Sequence, residues 1–170
     1  MKQTTGHNPV IFAVINLYEM ENLQGKTALI TGAGKGLGKA IALALAAEGV
    51  SLALLARTES DLKEVAAEAK KINKDIKINY TTADIGNNDS VIAAVALLKK
   101  DAGDIDILIN NAGTGKFGSF MDLEVNEWEQ IIQTNLLGSY YMTRAILPEM
   151  KARKNGDIVN ISSSAGLKGA

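Results

Sequence analysis

The chain has 170 residues, of which 46% are hydrophobic and 22% charged, which suits one globular domain that buries roughly two-thirds of its surface. Its 18 basic and 19 acidic side chains give a formal net charge of -1, so no electrostatic field favours a nucleic acid as partner. The absence of cysteine excludes disulfides and zinc-thiolate sites and fits a reducing cytoplasm, where we expect the protein.

The first 19 residues differ from the rest of the chain. Their apolar run, Val10 to Tyr18, is too short to cross a bilayer, and only Lys2 precedes it as a charged side chain of positive sign. A poor signal peptide is the alternative to an upstream extension. We expect residues 1–19 to be an extension, disordered or loosely held, residues 20–170 to contain the folded domain, and no membrane to be involved.

From Lys26 onward, short apolar runs alternate with amphipathic stretches of helical period. Five runs predict strands: TALIT, VSLALLA, IKINYTT, IDILINN and DIVNISS. Continuous apolar runs are typical of strands that helices cover on both faces. The alternation therefore predicts an α/β fold with a doubly wound, parallel sheet of the Rossmann type and right-handed crossovers.

Apolar residues at helical spacing predict three helices between the first four strands. Their predicted inward faces are Leu37, Ile41 and Leu45, then Leu62, Val65, Ala69 and Ile72, and finally Val91, Val95 and Leu98. Gly49 and Gly103 are well placed to end the first and third helices.

The fourth helix is predicted to be the longest, from about Asn126 to about Arg153. We expect Pro148 to bend or end it. Its predicted inward side carries Trp128, Ile131, Ile132, Leu136 and Tyr140.

The sequence TGAGKGLG lies between the first strand and the first helix. A glycine-rich turn at such a junction can present backbone amides and a helix N-terminus to a pyrophosphate. A Walker phosphate loop does not fit, because Ala33 and Ala40 occupy positions that require Gly and Ser or Thr. A plain tight turn is the alternative. The predicted contacts here are Gly32, Gly34, Lys35, Gly36, Leu37 and Gly38.

Several motifs together resemble the short-chain dehydrogenase/reductase family. The spacing of Thr31, Gly32, Gly36 and Gly38 is similar to its coenzyme turn, and NNAG, TNLLG and IVNISS follow in the family's order. The resemblance covers about residues 20–170 and is nearest to 3-oxoacyl-[acyl-carrier-protein] reductases. It implies a dinucleotide-binding domain and reduction of a carbonyl to a secondary alcohol, on a small molecule or a 3-oxoacyl thioester carried by an acyl carrier protein.

The end of the second strand predicts the choice of coenzyme. Arg57 stands where a carboxylate would meet the unphosphorylated ribose, so a 2'-phosphate and hence NADP(H) is favoured, with Lys35 as a second cation. Thr58 and Asp61 resemble a capping box for the next helix. In the alternative, both cations are solvated and Glu59 or Asp61 reaches the ribose.

Two further segments complete the implied coenzyme site. Asp84 matches the family aspartate that meets the adenine amino group, with a plain turn aspartate as the alternative. Asn111, Ala112 and Gly113 would let the coenzyme pass close to the backbone. Asn110 is expected to tie neighbouring strands together, and either asparagine could be purely structural.

Asn135 and Ser163 are the implied catalytic residues. Spacing turns the Asn135 amide toward the packed side of the long helix, where it needs partners. The family uses this asparagine to hold a water of a proton relay, and a structural hydrogen bond is the alternative. Ser163 aligns with the serine that binds the substrate carbonyl, while Ser162 and Ser164 would point to the other side of an extended chain.

The family's proton donor, a tyrosine with a lysine four residues later, comes about a dozen residues after that serine. The chain ends seven residues after Ser163, and Tyr140 and Tyr141 lack the lysine. We therefore expect a C-terminally truncated, inactive reductase with an incomplete sheet, an uncovered DIVNISS edge and poor stability. The full-length form is expected to be a homo-oligomer. A non-catalytic dinucleotide-binding module is the alternative.

Overall fold

The computed structural model describes residues 23–116 and 118–163. The strands are β1 (Thr27–Thr31), β2 (Ser51–Ala56), β3 (Ile78–Thr82), β4 (Ile107–Asn110) and β5 (Asp157–Asn160). The α-helices are α1 (Gly36–Ala47), α2 (Glu59–Ile72), α3 (Asn88–Ala102), α4 (Val125–Ile132) and α5 (Gly138–Arg153). A 3-10 turn covers Phe120–Asp122, and a π-helical segment, Gln133–Leu137, joins α4 to α5. The predicted extension, residues 1–19, lies outside the described residues.

The five predicted strands form one parallel sheet in the order β3-β2-β1-β4-β5. The chain moves outward from β1 to β3 and then returns to the other side of β1 as β4. The carboxyl ends of β1 and β4 therefore border the point where the winding reverses, which is where open α/β sheets bind their ligands. The predicted doubly wound α/β fold is confirmed.

The central strands β1, β2 and β4 are buried on both faces because helices cover each face of the sheet. Ala28 and Ile30 of β1 face the core layer that includes α1 and α2, whereas Leu29 between them faces the layer that includes α3 and α5. Alternate residues of a strand point to opposite faces, so a continuous apolar run is needed to fill two layers.

The inward face predicted for α1 is wrong at Leu37, whereas Ile41 and Leu45 are partly buried and pack against the core. Leu37 is 56% exposed, and the buried residues of the helix are Gly38, Ala42 and Ala46. Small residues let α1 approach the sheet closely, and the larger side chains then lie at its flanks. For α2 and α3 the predicted faces are confirmed except at Ile72, which is exposed.

The predicted inward side of the long helix is also wrong. Its exposed large apolar residues include Trp128, Ile132, Leu136 and Tyr140, and α4 has no buried residue. The face that packs on the sheet is carried by α5 alone and consists of Gly138, Met142, Ile146 and Met150. Size and hydrophobicity do not force a side chain inward when a neighbouring face of the helix already meets the core.

Pro148 does not end the helix, which continues to Arg153 and closes with Lys154 in the left-handed region at a φ of 55°. Pro148 and Arg144 are both exposed, so the Arg144 carbonyl that loses its amide partner can be hydrated. The sequence alone did not indicate that this turn faces water.

β5 forms one edge of the described sheet. Val159 and Ile161 are 38% and 37% exposed, whereas Ile158 packs against the core layer of α3 and α5. The predicted uncovered apolar flank is therefore present in the described residues. The expected tendency to aggregate stays a prediction.

Thr31, the last residue of β1, fixes the carboxyl end of β1 against that of β4. Its buried hydroxyl donates to the Ile109 carbonyl at 3.3 Å and accepts from the backbone amides of Asn111 and Ala112, each at 3.0 Å. One hydroxyl has one proton and two lone pairs, so its hydrogen-bonding capacity is fully used. In return, the Asn111 side chain donates to the Thr31 carbonyl at 2.9 Å.

We expect Thr31→Val to lower the free energy of unfolding by about 2 kcal/mol or more, because two part-buried amides lose their acceptor. Urea unfolding followed by circular dichroism measures the change. Thr27→Val is the matched control, since Thr27 lies in the same strand and its hydroxyl makes no hydrogen bond to a described residue. Equal midpoints for the two variants would contradict this role of the Thr31 hydroxyl.

Candidate coenzyme-binding site

The glycine turn depends on two contacts too close for any side chain. A Cβ atom on Gly38 would lie 2.2 Å from the Gly32 carbonyl oxygen and 2.6 Å from Nδ2 of the Asn111 side chain. Gly32 has a φ of +65°, and its Cβ would lie 2.9 Å from the Cα of Ala112. Glycine is therefore needed at both positions to let α1 begin directly against the ends of β1 and β4.

Gly34 brings the turn against the first turn of α2. Its Cβ would lie 2.9 Å from the Cβ of Asp61 and 3.6 Å from Asp61 Oδ2. Gly36, in contrast, has open space at its Cβ position and a φ of +55°, so the backbone conformation is what favours glycine there. The turn is thus held between α2 on one side and the segment after β4 on the other.

A cleft of about 240 Å³ opens at the carboxyl edge of the sheet, over the glycine turn. Of the 11 residues predicted to contact the coenzyme, 10 line it, and Gly36 is the exception. The cleft is further lined by Leu55, Ala56, Thr58, Asp61, Ala83, Ile85, Thr114 and Thr134. The structure brings the predicted residues together, whereas their role in binding stays a prediction.

Lys35 and Arg57 contribute uncompensated positive charge to this cleft. Both are exposed, and neither forms an ion pair or side-chain hydrogen bond with another described residue. Lys39 differs, because its ammonium binds Glu68 at 2.7 Å and Glu64 at 2.9 Å, and these hydrogen bonds raise the Lys39 pKa and link α1 to α2. One cation in the glycine turn and one at the end of β2 therefore remain available to an anion in the cleft.

The predicted capping box at the start of α2 does not form. Thr58 occupies the N-cap position, but its side chain makes no capping hydrogen bond. Asp61 Oδ1 accepts from the neighbouring Ser60 hydroxyl at 3.4 Å, and the carboxylate lies beside Gly34. The side chain that would complete the box is thus directed to the cleft.

Asp84 is a turn aspartate, as the alternative to an adenine contact predicted. Its Oδ1 accepts from the Gly86 amide at 2.9 Å, and its own amide donates to the Ser90 hydroxyl at 3.1 Å. The residue also lines the cleft, so a turn aspartate is held at the position expected for an adenine contact. The two interpretations are compatible, because a carboxylate has two oxygens.

The two asparagines after β4 have different tasks. Asn110 Nδ2 donates to Asn160 Oδ1 at 2.8 Å and to the Thr143 hydroxyl at 3.2 Å, which confirms that it ties β4 to β5 and α5. Asn111 Nδ2 faces the other way and donates to carbonyls of Thr31 and Gly32. Asn111 therefore has a structural contact as well as a place in the cleft.

Asn135 does not point into the packed core as its spacing predicted. It is exposed in the π-helical segment, where its Oδ1 accepts from the Thr114 amide and its Nδ2 donates to the Thr114 carbonyl, both at 2.8 Å. Segments of this geometry are frequent at functional sites and displace side chains from the regular helical stripe. Asn135 is not part of the cleft wall, but it positions Thr114, which is.

Ser163 lies just beyond β5 and is exposed. Asn110 and Asn160 are register partners, so Ser163 follows the carboxyl edge of the sheet on which the cleft opens. It does not line the cleft. Ser164, the alternative, lies outside the described residues.

The segment after β4 is also tethered to α4. Lys116 forms an ion pair with Glu127, and this hydrogen bond lowers the pKa of the Glu127 carboxyl, with the Glu124 amide as a second cause. Together with Asn135, the pair holds both ends of the short stretch 114–116. Thr134, the first residue of TNLLG, and Thr114, which directly follows NNAG, line the cleft although neither was predicted to do so.

Residues 23–116 and 118–163 include no cluster of histidine and acidic side chains that could hold a metal ion. Within the same residues, every helix is too short or too polar to span a bilayer.

A family model described as short chain dehydrogenase matches residues 26–170. Among curated proteins, the ketoacyl reductase HetN of Nostoc sp. is 41% identical over 151 residues, which are 88% of this chain and 52% of that protein. The 3-oxoacyl-[acyl-carrier-protein] reductase FabG of Haemophilus influenzae is 35% identical over 147 residues, which are 86% of this chain and 59% of that protein. The chain thus spans little more than half the length of these relatives.

Solved structures agree with the sequence match. A metagenomic short-chain oxidoreductase in complex with NADP has a TM-score of 0.81 at 34% identity, with 88% of this chain and 67% of that one covered. NAD+-bound xylitol dehydrogenase has a TM-score of 0.82 at 33% identity, with 88% and 57% covered. The match over residues 26–170, together with the shared parallel sheet, establishes that the chain belongs to the short-chain dehydrogenase family of oxidoreductases.

Proposed function

We propose that the chain is the coenzyme-binding portion of an NADPH-dependent reductase that converts a carbonyl to a secondary alcohol. The observation that carries the proposal is the cleft at the reversal point of the sheet, lined by 10 of the 11 predicted residues. NADP(H) would supply the hydride at this site. The chain's own residues bind and orient the coenzyme and place polar groups beside the reacting carbonyl.

The glycine turn provides the place for the pyrophosphate. The first amides of α1 have no partner inside the helix, and the N-cap Lys35 side chain makes no capping hydrogen bond. Such amides and the positive end of the helix dipole favour an anion. The closeness of Gly32 and Gly38 supports this fit, because a side chain at either position would fill the cradle.

Selection of NADPH over NADH is assigned to Arg57 and Lys35. Both cations line the cleft and have no carboxylate partner among the described residues. A guanidinium can donate two parallel hydrogen bonds to a phosphate, which makes Arg57 the stronger candidate. Asp84, beside Ala83 on the far wall, is assigned to the adenine amino group.

We expect calorimetric titration of the chain to detect binding of NADPH more strongly than NADH. Arg57→Asp should move the affinity ratio toward NADH by about tenfold or more, because it removes a charge-assisted contact and adds repulsion. Lys77→Asp is the control, because it makes the same change of charge at an exposed position. Lys77 lies before β3, at the amino end of the strands and thus opposite the cleft, so the ratio should be unchanged. An absence of heat with both coenzymes would overturn the proposal, and an unaltered ratio in Arg57→Asp would refute the role of Arg57.

Ser163 and Asn135 are assigned to the reaction itself. The Ser163 hydroxyl would donate to the substrate carbonyl, on which negative charge develops as the hydride arrives. Asn135, which already holds Thr114 at the cleft, would order a water for proton delivery. Proton delivery also needs an acid, and none of the four tyrosines is followed by lysine four residues later.

For that reason we propose that the 170-residue polypeptide binds coenzyme without turnover. Acetoacetyl thioesters should cause no oxidation of NADPH, as followed by the loss of its near-ultraviolet absorbance. The same mass-verified sample must bind NADPH, so that inactivity is separated from misfolding. Oxidation that depends on the thioester would show that another group supplies the proton.

The substrate proposal is a 3-oxoacyl thioester, either free or on an acyl carrier protein. Its support is the naming of two relatives as ketoacyl and 3-oxoacyl-[acyl-carrier-protein] reductases. The basic residues at the end of α5, Lys151 and Lys154, lie at the amino edge of the sheet, because β5 starts beside them. They are therefore remote from the cleft and offer a delivered thioester no direct docking point.

The alternative is a non-catalytic dinucleotide-binding module. It is favoured by one observation, namely the missing pairing of tyrosine with lysine in a chain that retains the glycine turn. We also propose that the full-length form is a homo-oligomer, supported by the exposed Trp128, Ile132, Leu136 and Tyr140, which are spaced four residues apart along the segment from α4 to α5.

A further inference from the structure

Asp61 is the acidic side chain closest to the glycine turn in the coenzyme cleft. It lies in the first turn of α2, is half-buried, and lines the same cleft as Lys35 and Arg57. A Cβ on Gly34 would lie 3.6 Å from Asp61 Oδ2, so the carboxylate stands beside the space that the missing side chain of Gly34 leaves open. Asp61 is therefore part of the cleft wall next to the glycine turn.

The negative charge of Asp61 is not neutralised within the described residues. It forms no ion pair there, and its one hydrogen-bonding partner is the uncharged Ser60 hydroxyl at 3.4 Å. Arg57 is four residues away in sequence, yet the two do not pair. The cleft thus presents three unpaired charges to a group bound there: Lys35 from the glycine turn, Arg57 from the end of β2 and Asp61 from α2.

Stabilisation of α2 does not account for this position. Acidic residues in the first turn favour a helix through its dipole, and α2 has two of them, Glu59 and Asp61. Glu59 pairs with Lys63 and is absent from the cleft wall. The dipole therefore explains both acidic residues equally, whereas only Asp61 is placed against Gly34.

We propose that Asp61 is a specificity-determining residue that opposes Arg57 and Lys35 at the adenosine ribose, so that the site retains affinity for the unphosphorylated coenzyme. A carboxylate accepts a hydrogen bond from a ribose hydroxyl but repels a 2'-phosphate. Asp61 thereby narrows the preference for NADPH that the two cations create. The inference rests on the proposed function, because it requires a dinucleotide in the cleft.

The test compares ADP-ribose with ADP-ribose 2'-phosphate, which differ only at the group concerned and need nothing from the nicotinamide side. Dissociation constants are measured by calorimetry for the full chain and for Asp61→Asn. We expect the variant to shift the affinity ratio toward the 2'-phosphate by about fivefold to tenfold. Binding of ADP-ribose should be unchanged or weaker.

Glu59→Gln is the matched control, since it removes one negative charge from the same helical turn outside the cleft. It should leave the ratio of the two affinities unchanged. An equal shift in both variants would overturn the proposal, because the general electrostatic potential of the helical turn would then explain the effect. An unaltered or reversed ratio in Asp61→Asn would also overturn it. Should Asp61→Asn reduce stability, Asp61→Ser removes the same charge and gives the same comparison.

The outcomes separate this inference from the proposed function. Failure of every variant to bind either ligand contradicts the proposed function and the inference together. If both ligands bind, and the ratio of their dissociation constants is the same for the wild type and Asp61→Asn, the inference alone is contradicted.

Discussion

The hydroxyl of Thr31 fixes the distance between the carboxyl ends of β1 and β4, and the cleft exists because of that distance. It joins three backbone groups of the segment 109–112, while Asn111 returns a hydrogen bond to the Thr31 carbonyl. Gly38 can then lie against the Gly32 carbonyl, and α1 begins where its free amides face the cleft. Removal of any one of these contacts would move the helix N-terminus that an anion is expected to meet.

The charges around the cleft differ in how they are compensated. Lys39 is held between two glutamates and serves to join α1 to α2, whereas Lys35 and Arg57 have no such partners among the described residues. A cation that is already paired with a carboxylate gains little free energy from binding a phosphate. An unpaired cation retains its full attraction for the phosphate. The same reasoning applies to Asp61, a cleft carboxylate beside Gly34 that forms no ion pair within the described residues.

Asn135 and Ser163, the two residues proposed for catalysis, belong to a different part of the structure. The π-helical segment carries Asn135 out of the regular stripe and onto the backbone of Thr114, while Lys116 and Glu127 restrain the next residues. Ser163 follows β5 along the same edge of the sheet, outside the cleft wall. The residues proposed to bind the coenzyme therefore line one cleft within the described residues, and the two residues proposed for catalysis lie outside its wall.

The sequence by itself determined the five strands, their parallel arrangement and the glycine turn, because buried strands need continuous apolar runs and a close turn needs glycine. It also placed Lys35 in the glycine turn after β1 and Arg57 directly after β2. Tertiary structure alone decided which face of α1 and of the long helix is buried, since several apolar faces compete and only contact with the sheet selects one. The position of Asp61 beside Gly34 and the two bonds between Asn135 and Thr114 likewise join residues far apart in sequence, and periodicity carries no information about such contacts.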